Sequence, residues 1–295
     1  MTALQRRTGP AEDASGGAGE APPLSVAIVC CDNARTIGRT LRSAAPLARE
    51  IVAVDSGSTD GTIELLEEAG ARVIRSKWLG HVRTKQLALE ACSEPWILCL
   101  DSDESLEPDL QRSIAQALAQ RPPAALAGYR LNRVVWWRGR FLRHAWQPEW
   151  RLRLVRRGAC AWGGFDPHDQ LLVKPGQPAQ RVANLAGTLR HDSIGTMPAF
   201  FMSQARHAQI AARSLAARGA RGSIASLVFS PTFAWIKQMA LRQAWRDGWR
   251  GWCAASATAA AALMKHAALL ELTRAPRDKA EGDDGAAVDA GARRP

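Results

Sequence analysis

Asp101-Ser102-Asp103-Glu104 gathers three carboxylates around one serine, directly after the apolar run Trp96–Leu100. In extended backbone Asp101 and Asp103, two apart, share a face. Two carboxylates converging on one point repel unless a cation lies between them, and a hard divalent ion carrying a phosphate suits that place. A plainer reading is a strand-to-helix loop whose Asp103 or Ser105 caps the next helix. Asp55-Ser56-Gly57-Ser58-Thr59-Asp60-Gly61 ends a second apolar run with acids, hydroxyls and glycines. A third polar knot, Gly163-Gly164-Phe165-Asp166-Pro167-His168-Asp169-Gln170, lies sixty residues beyond the first, and His191-Asp192-Ser193 follows it.

These groups need a frame. Ser25–Cys30, Glu50–Asp55, Arg72–Arg75 and the run from Trp96 read as strands, the first and last apolar enough for burial on both faces. Between them, helical spacing predicts helices over 34–45, 62–69 and 81–92, with Gly70 in the position of a terminating glycine, and a fourth helix over 107–120. Strand–helix alternation of this kind predicts an α/β fold: a mostly parallel sheet, helices on both faces, ligands at the carboxyl ends of the strands. Asp55 and Asp101 fall at that edge. No G-x-G-x-x-G and no G-x-x-x-x-G-K-[ST] occurs, so a nucleotide here has to be held by carboxylates rather than a phosphate-binding glycine loop.

The net charge of +11 comes almost entirely from arginine, which favours planar contact with phosphate or carboxylate. Nucleic acid, nucleotide phosphates and anionic lipid are all compatible partners. Six cysteines without a C-x-x-C pair read as small core residues, not as a disulfide framework or a zinc site. Residues 1–23 and 275–295 have the composition of a disordered leader and tail, and the first contains no signal-peptide core.

The Val54-Asp55-Ser56-Gly57-Ser58-Thr59-Asp60-Gly61 stretch resembles the V-D-D/S-G-S-T-D motif of family 2 inverting glycosyltransferases, and Leu100-Asp101-Ser102-Asp103-Glu104 resembles their D-x-D. The order and separation of the two also match. The resemblance implies a GT-A (Rossmann-like) fold, a nucleotide-sugar donor and a divalent metal, Mg2+ or Mn2+. It places Asp32, Asp55, Ser56, Lys85, Asp101 and Ser102 around the nucleotide sugar, with Asp103 as a metal ligand and His191 as a second one. Inverting transfer needs a carboxylate to accept the proton of the acceptor hydroxyl. Arg151-Leu152-Arg153-Leu154-Val155-Arg156-Arg157-Gly158, followed by Pro167-His168-Asp169, resembles bacterial transferases of lipopolysaccharide core assembly, with Asp in place of their Glu. Asp169 is therefore the first candidate for the base and Asp166 the second.

Tryptophans and arginines interleave from Trp136 to Arg157. Such a stretch stacks nucleic-acid bases, binds a phosphorylated sugar, or packs a core beneath a basic surface. The resemblance favours an acceptor site containing Trp146, Glu149, Arg151 and His168. Arg151–Arg157 alternates strictly and predicts a strand with Leu152, Leu154 and Val155 on one side. From Ser223 to Leu272 the chain reads as helical, interrupted at Pro231, with Arg242, Arg246 and Arg250 as a basic stripe beside Trp245, Trp249 and Trp252. That pattern suits an anionic membrane surface. The apolar stretch Trp252–Met264 falls short of the ~20 residues that span a bilayer. The expected organisation is a nucleotide-sugar-binding half (24–121), an acceptor-binding half (122–197) and a membrane-associating helical appendage (198–274). The expected activity is metal-assisted hexosyl transfer to a lipopolysaccharide core or other lipid-linked glycan, peripheral on the cytoplasmic face of a bacterial inner membrane. A polyprenyl-phosphate acceptor is the alternative within the class. A basic nucleic-acid-binding protein is the alternative outside it, although carboxylates crowd the edge where an anionic polymer would lie.

Overall fold

The computed structural model describes residues 22–165 and 168–274, with backbone alone at 165 and 168. The tail from 275, all but the last two residues of the leader, and Asp166 lie outside the described residues.

The first hundred residues alternate as read: β1 (Leu24–Cys30), α1 (Ala34–Ala44), β2 (Glu50–Asp55), α2 (Thr62–Glu68), β3 (Arg72–Arg75), α3 (His81–Glu90) and β4 (Trp96–Asp101). The four strands pair in parallel in the order β3-β2-β1-β4. Cys30 is level with Asp55, and Val29 with Asp101, so the loops after β1, β2 and β4 open on one edge. Both faces are covered, as the continuous apolar strands require. On one face Val26, Ile28 and Leu98 pack against Ile37 and Leu41 of α1 and against Leu110 and Ile114. On the other, Ala27, Val52, Val54 and Cys99 pack against Ala88 and Leu89 of α3 and against Trp162.

Beyond β4 the sheet becomes mixed. A short strand, β5 (Glu104–Leu106), follows the Asp101–Asp103 turn, and α4 (Pro108–Ala119) then starts with Glu107 in the capping position and Pro108 in its first turn. Neither Asp103 nor Ser105 caps that helix. The sheet continues through β8 (Trp150–Arg156), β6 (Leu126–Trp137), β11 (Arg181–His191) and β5, and β7 (Arg140–Phe141) folds back on β6. β8 is antiparallel to both β4 and β6, whereas β11 is parallel to β6. β9 (Cys160–Phe165) and β10 (His168–Val173) form a separate antiparallel hairpin laid over α3. α4 lies close on β11 because Gly187, at φ +115°, leaves room: a Cβ there would stand 2.6 Å from the Leu110 backbone.

β8 departs from strict alternation. Tyr129 pairs with Leu154 but Arg130 with Leu152, so Arg153 sits at a bulge. Leu154 joins one core face and Val155 the other, while Arg153 turns inward and is only 4% exposed.

The C-terminal part comprises α5 (Met197–Ala217), α6 (Ile224–Ile236) and α7 (Trp249–Arg274), with α5 and α6 both packed on α7. Pro231 sits inside α6 and does not interrupt it. The break comes instead at 237–248, a π turn and a 3-10 turn in which Gln243 and Gly248 take positive φ. Arg242 therefore lies in the bend after the π turn, Arg246 in the 3-10 turn and Arg250 in α7, and they form no single helical stripe. Arg242 donates to the Gln147 carbonyl, Arg250 to those of Trp137 and Arg138. Helix α7 runs 26 residues, long and apolar enough by length and composition to cross a bilayer, because its apolar sequence resumes after Lys265-His266.

Candidate active site

The loop after β2 is built around Asp55. Its Oδ1 accepts from the backbone N–H groups of Gly57 and Ser58, both at 2.9 Å, and its Oδ2 from the Ser58 hydroxyl. Burial alone would raise its pKa, but these bonds outweigh it and hold the carboxyl below the usual carboxylate range. Asp32, at φ +53° after β1, ties the two loops together: its Oδ1 accepts from the Thr59 amide at 2.8 Å, and its own amide donates to Ser58 Oγ at 2.9 Å. Asp60 accepts from the Ala34 amide at the start of α1. The result is a cleft of about 460 Å3 lined by Asp55, Ser56, Gly57, Ser58 and, from the end of β3, Arg75, Ser76 and Lys77. It has the dimensions of a ligand pocket, with the buried Asp55 carboxylate at its base and Arg75 and Lys77 on one wall.

Asp101 ends β4 and is held by cations from three elements. Lys85 Nζ of α3 stands 2.6 Å from Oδ1, Arg153 Nη2 of β8 2.7 Å from Oδ2, and Arg133 of β6 3.9 Å away. Desolvation works to raise its pKa, yet Lys85 and Arg153 keep it well below the ordinary value. Lys85 is not on an exposed helix face: it is 8% exposed, lies over the Trp162 ring, and reaches Asp169 Oδ2 at 2.8 Å. Asp169 thus comes to the D-x-D edge from the β9–β10 hairpin, with one ammonium bridging it to Asp101. Burial would lower the Lys85 pKa; Asp101 and Asp169 raise it above the usual lysine value, although Arg153 opposes them.

Asp103 takes a different partner. The chain turns after Asp101, and the group paired with Asp103 is His191 rather than Lys85 or Arg153, although Arg133 acts on both aspartates. Asp103 Oδ2 lies 3.3 Å from His191 Nε2 at the end of β11, and the Asp192 amide donates to the Asp103 carbonyl at 2.9 Å. Burial pushes the Asp103 carboxyl upward, but the imidazole beside it gives a net lowering. One carboxylate oxygen and one imidazole nitrogen at a single point fit a divalent ion whose other positions are filled by diphosphate oxygens and water. Among the described residues no group of three or more His, Cys, Asp and Glu gathers. Such an ion would need the nucleotide to complete its shell.

Ser102 is turned inward: its hydroxyl donates to Asn33 Oδ1 at 2.8 Å and its carbonyl accepts from Thr40 Oγ1. Glu149 accepts from Arg133 and Arg151, and despite burial its pKa falls to about 2. Trp146 lies away from these acids. Its indole N–H donates to Thr258 on α7 and its ring packs near Phe200 of α5. The side chain of His168 is outside the described residues. The structure adds four residues to the sequence reading: Glu104, Arg133 and Arg153 beneath the site, and Arg75 in the cleft. Glu104 is fully buried and accepts from Arg133 at 3.1 Å and Arg153 at 2.7 Å. A run of alternating charge therefore passes from Glu149 through Arg133, Glu104, Arg153, Asp101 and Lys85 to Asp169. The signal for it was the third acid in D-S-D-E and the second arginine of R-L-R-L-V-R-R.

A cleft built on Asp55 at the strand ends, beside a D-x-D turn, points to the class. The family model for glycosyl transferase family 2 matches residues 25–171. The lipopolysaccharide core biosynthesis glycosyltransferase LpsC of Rhizobium meliloti is 30% identical over 260 residues, 84% of this chain and 92% of that protein. An uncharacterized glycosyltransferase of Rickettsia felis is 34% identical over 112 residues, 38% of this chain and 40% of that protein. The chain belongs to glycosyltransferase family 2 and is a glycosyltransferase with an α/β fold of the GT-A kind. Solved structures similar to it include residues 1–349 of S. aureus TarS in complex with UDP-GlcNAc (14% identity, TM-score 0.43, covering 64% of this chain and 66% of that one). Another is glucosyl-3-phosphoglycerate synthase from Mycobacterium tuberculosis in complex with Mn2+, UDP and glucosyl-3-phosphoglycerate (18% identity, TM-score 0.42, covering 75% and 88%).

Proposed function

We propose that this glycosyltransferase moves a hexosyl unit, with inversion, from a UDP-linked sugar to a lipopolysaccharide core or other lipid-linked glycan at the cytoplasmic face of a bacterial inner membrane. The observation that carries the reading is the convergence on one sheet edge of the Asp55 cleft, the Asp103–His191 pair and the Lys85-held Asp169. The acceptor class is supported by the likeness to the Rhizobium protein over most of both chains.

In this reading Asp55 and Asp32 shape the loops that receive the nucleoside. Arg75 and Lys77 supply positive charge at the cleft wall. Asp101 orients the ribose or the transferred sugar from a fixed position, since three cations hold its carboxylate. Asp103 and His191 would hold Mg2+ or Mn2+, which when bound neutralises charge on the departing diphosphate. Asp169 accepts the acceptor hydroxyl's proton as that oxygen attacks the anomeric carbon from the face opposite the diphosphate. The new glycosidic bond forms as the bond to phosphate oxygen breaks, and the anomeric configuration inverts. Glu149, Arg151 and Trp146 belong to the half of the molecule that would meet the acceptor.

Asp169→Asn tests the assignment of the base. Membranes from cells deleted for the gene supply the acceptor, and a labelled UDP-sugar the donor. The variant should bind UDP with Mn2+ within about twofold of wild type and lose about a hundredfold or more in transfer. Transfer at the wild-type rate would place the base elsewhere.

A further inference from the structure

Helix α6 has no place in the catalytic reading and an unusual surface. Over the thirteen residues Ile224–Ile236 it carries no charged side chain, and none of its residues is buried. Phe229 is 70% exposed and Phe233 63%, with Ile224, Val228 and Ile236 also largely open to solvent. On a helical projection these five cover about half the circumference. A helix apolar around its circumference is ordinarily buried in a core or a membrane. Here α7 covers one side only.

We infer that α6 is the element that enters the membrane, lying in the headgroup–acyl boundary of an anionic leaflet with Phe229 and Phe233 as its inserted side chains. This deepens the reading of the enzyme as membrane-peripheral, and names the anchor. The half-exposed indole of Trp252 stands beside it, its ring 5.8 Å from Trp235 of α6, and Trp245 and Trp249 in the same C-terminal part are also half exposed. Half-exposed indoles suit the interfacial layer, one edge apolar and the other wet.

Charge selects the occupant. From Ser193 to Arg246 the sequence contains no acidic residue, while Arg221 precedes α6 and Lys237 and Arg246 follow it. The first acid after that span, Asp247, is turned inward: its carboxylate accepts from the backbone amides of Arg143, His144 and Ala145. The surface around α6 is thus basic and without acidic counterparts along its own segment. Two copies meeting through it would set like charges against each other, whereas an anionic leaflet complements it. Of the arginines first read as a stripe, Arg242 and Arg250 are spent on backbone carbonyls, so Arg221, Lys237 and Arg246 supply the preference for anionic lipid and α6 supplies the apolar insertion.

The test is flotation of the full chain with vesicles of phosphatidylethanolamine and phosphatidylglycerol, and with vesicles of phosphatidylcholine alone. Wild type should float with the anionic vesicles and far less with the neutral ones. Phe229→Asp with Phe233→Asp should lower partition about a hundredfold, with circular dichroism and Mn2+-dependent UDP binding unchanged. Equal flotation of the double variant would overturn the inference. So would a wild-type protein that ignores both vesicles and sediments as a dimer which the double variant abolishes. UDP binding is read on the same samples, so failure of the anchor and failure of the transferase reading are separable.

Discussion

Lys85 bridges the two carboxylates that come to the site from β4 and from the β9–β10 hairpin. Its ammonium lies 2.6 Å from Asp101 and 2.8 Å from Asp169, at 8% exposure. Removing it leaves two buried carboxylates facing each other with a charge deficit, the costly way to break an ion network. Lys85→Met should therefore lower kcat about a hundredfold or more and also lower the thermal midpoint. Lys85→Arg should restore the midpoint more than the rate, because a planar guanidinium cannot put one point charge between two carboxylates in the same way. Steady-state kinetics and thermal melts on both variants check this, and a methionine variant with the wild-type rate would remove Lys85 from the site. The sequence made Lys85 a candidate only through its position between motifs. Nothing in helical spacing shows that α3 turns this residue beneath the sheet edge, since the hairpin that buries it comes eighty residues later. The D-x-D and V-D-S-G-S-T-D motifs were legible because their chemistry is local, with acids, hydroxyls and glycines within one loop. Arg153 was not legible, because a bulge rather than alternation turns it inward.

Elements position these residues through a few long-range braces. Glu50, at the start of β2, accepts from Ser25 Oγ of β1 at 2.6 Å, from the Ser93 amide before β4 at 2.9 Å, and from Arg72 of β3 at 3.0 Å. One carboxylate thus joins all four parallel strands at the edge away from the site. Partial burial opposes ionisation, but these donors bring its pKa from 4.5 down to about 2. A carboxyl depressed on folding contributes stability above its unfolded pKa and loses it as pH falls toward the folded value. The loss therefore falls between about pH 4.5 and pH 2. It should amount to about 1–2 kcal/mol, since solvent at the exposed rim screens part of the interaction. Glu50→Gln should flatten urea-unfolding stability across that window, whereas an unchanged pH dependence would deny the brace. The first four strands and their helices were readable to within a residue or two because β1, β2 and β4 are each built on a continuous apolar run, with helical spacing between them. β5 was not, being three residues between a turn and a proline. Pro231 misled in the other direction: α6 tolerates it, and the break comes where Gln243 and Gly248 take positive φ.

At the scale of the whole molecule, a parallel half that forms the Asp55 cleft joins a mixed half that brings in Asp169 and His191. The helices beyond carry the apolar surface. The alternating charge network crosses between the halves, so the strands of one are tied to those of the other. In the proposed reading Asp103 and His191 make a two-donor set, so donor and metal would bind together. Titration calorimetry of UDP with and without Mn2+, on wild type and Asp103→Asn, tests this most directly. UDP should bind wild type about a hundredfold more tightly with Mn2+ than without it, and Asp103→Asn should abolish that gain. Equal UDP affinity with and without Mn2+, or a full Mn2+ effect in Asp103→Asn, would contradict the account.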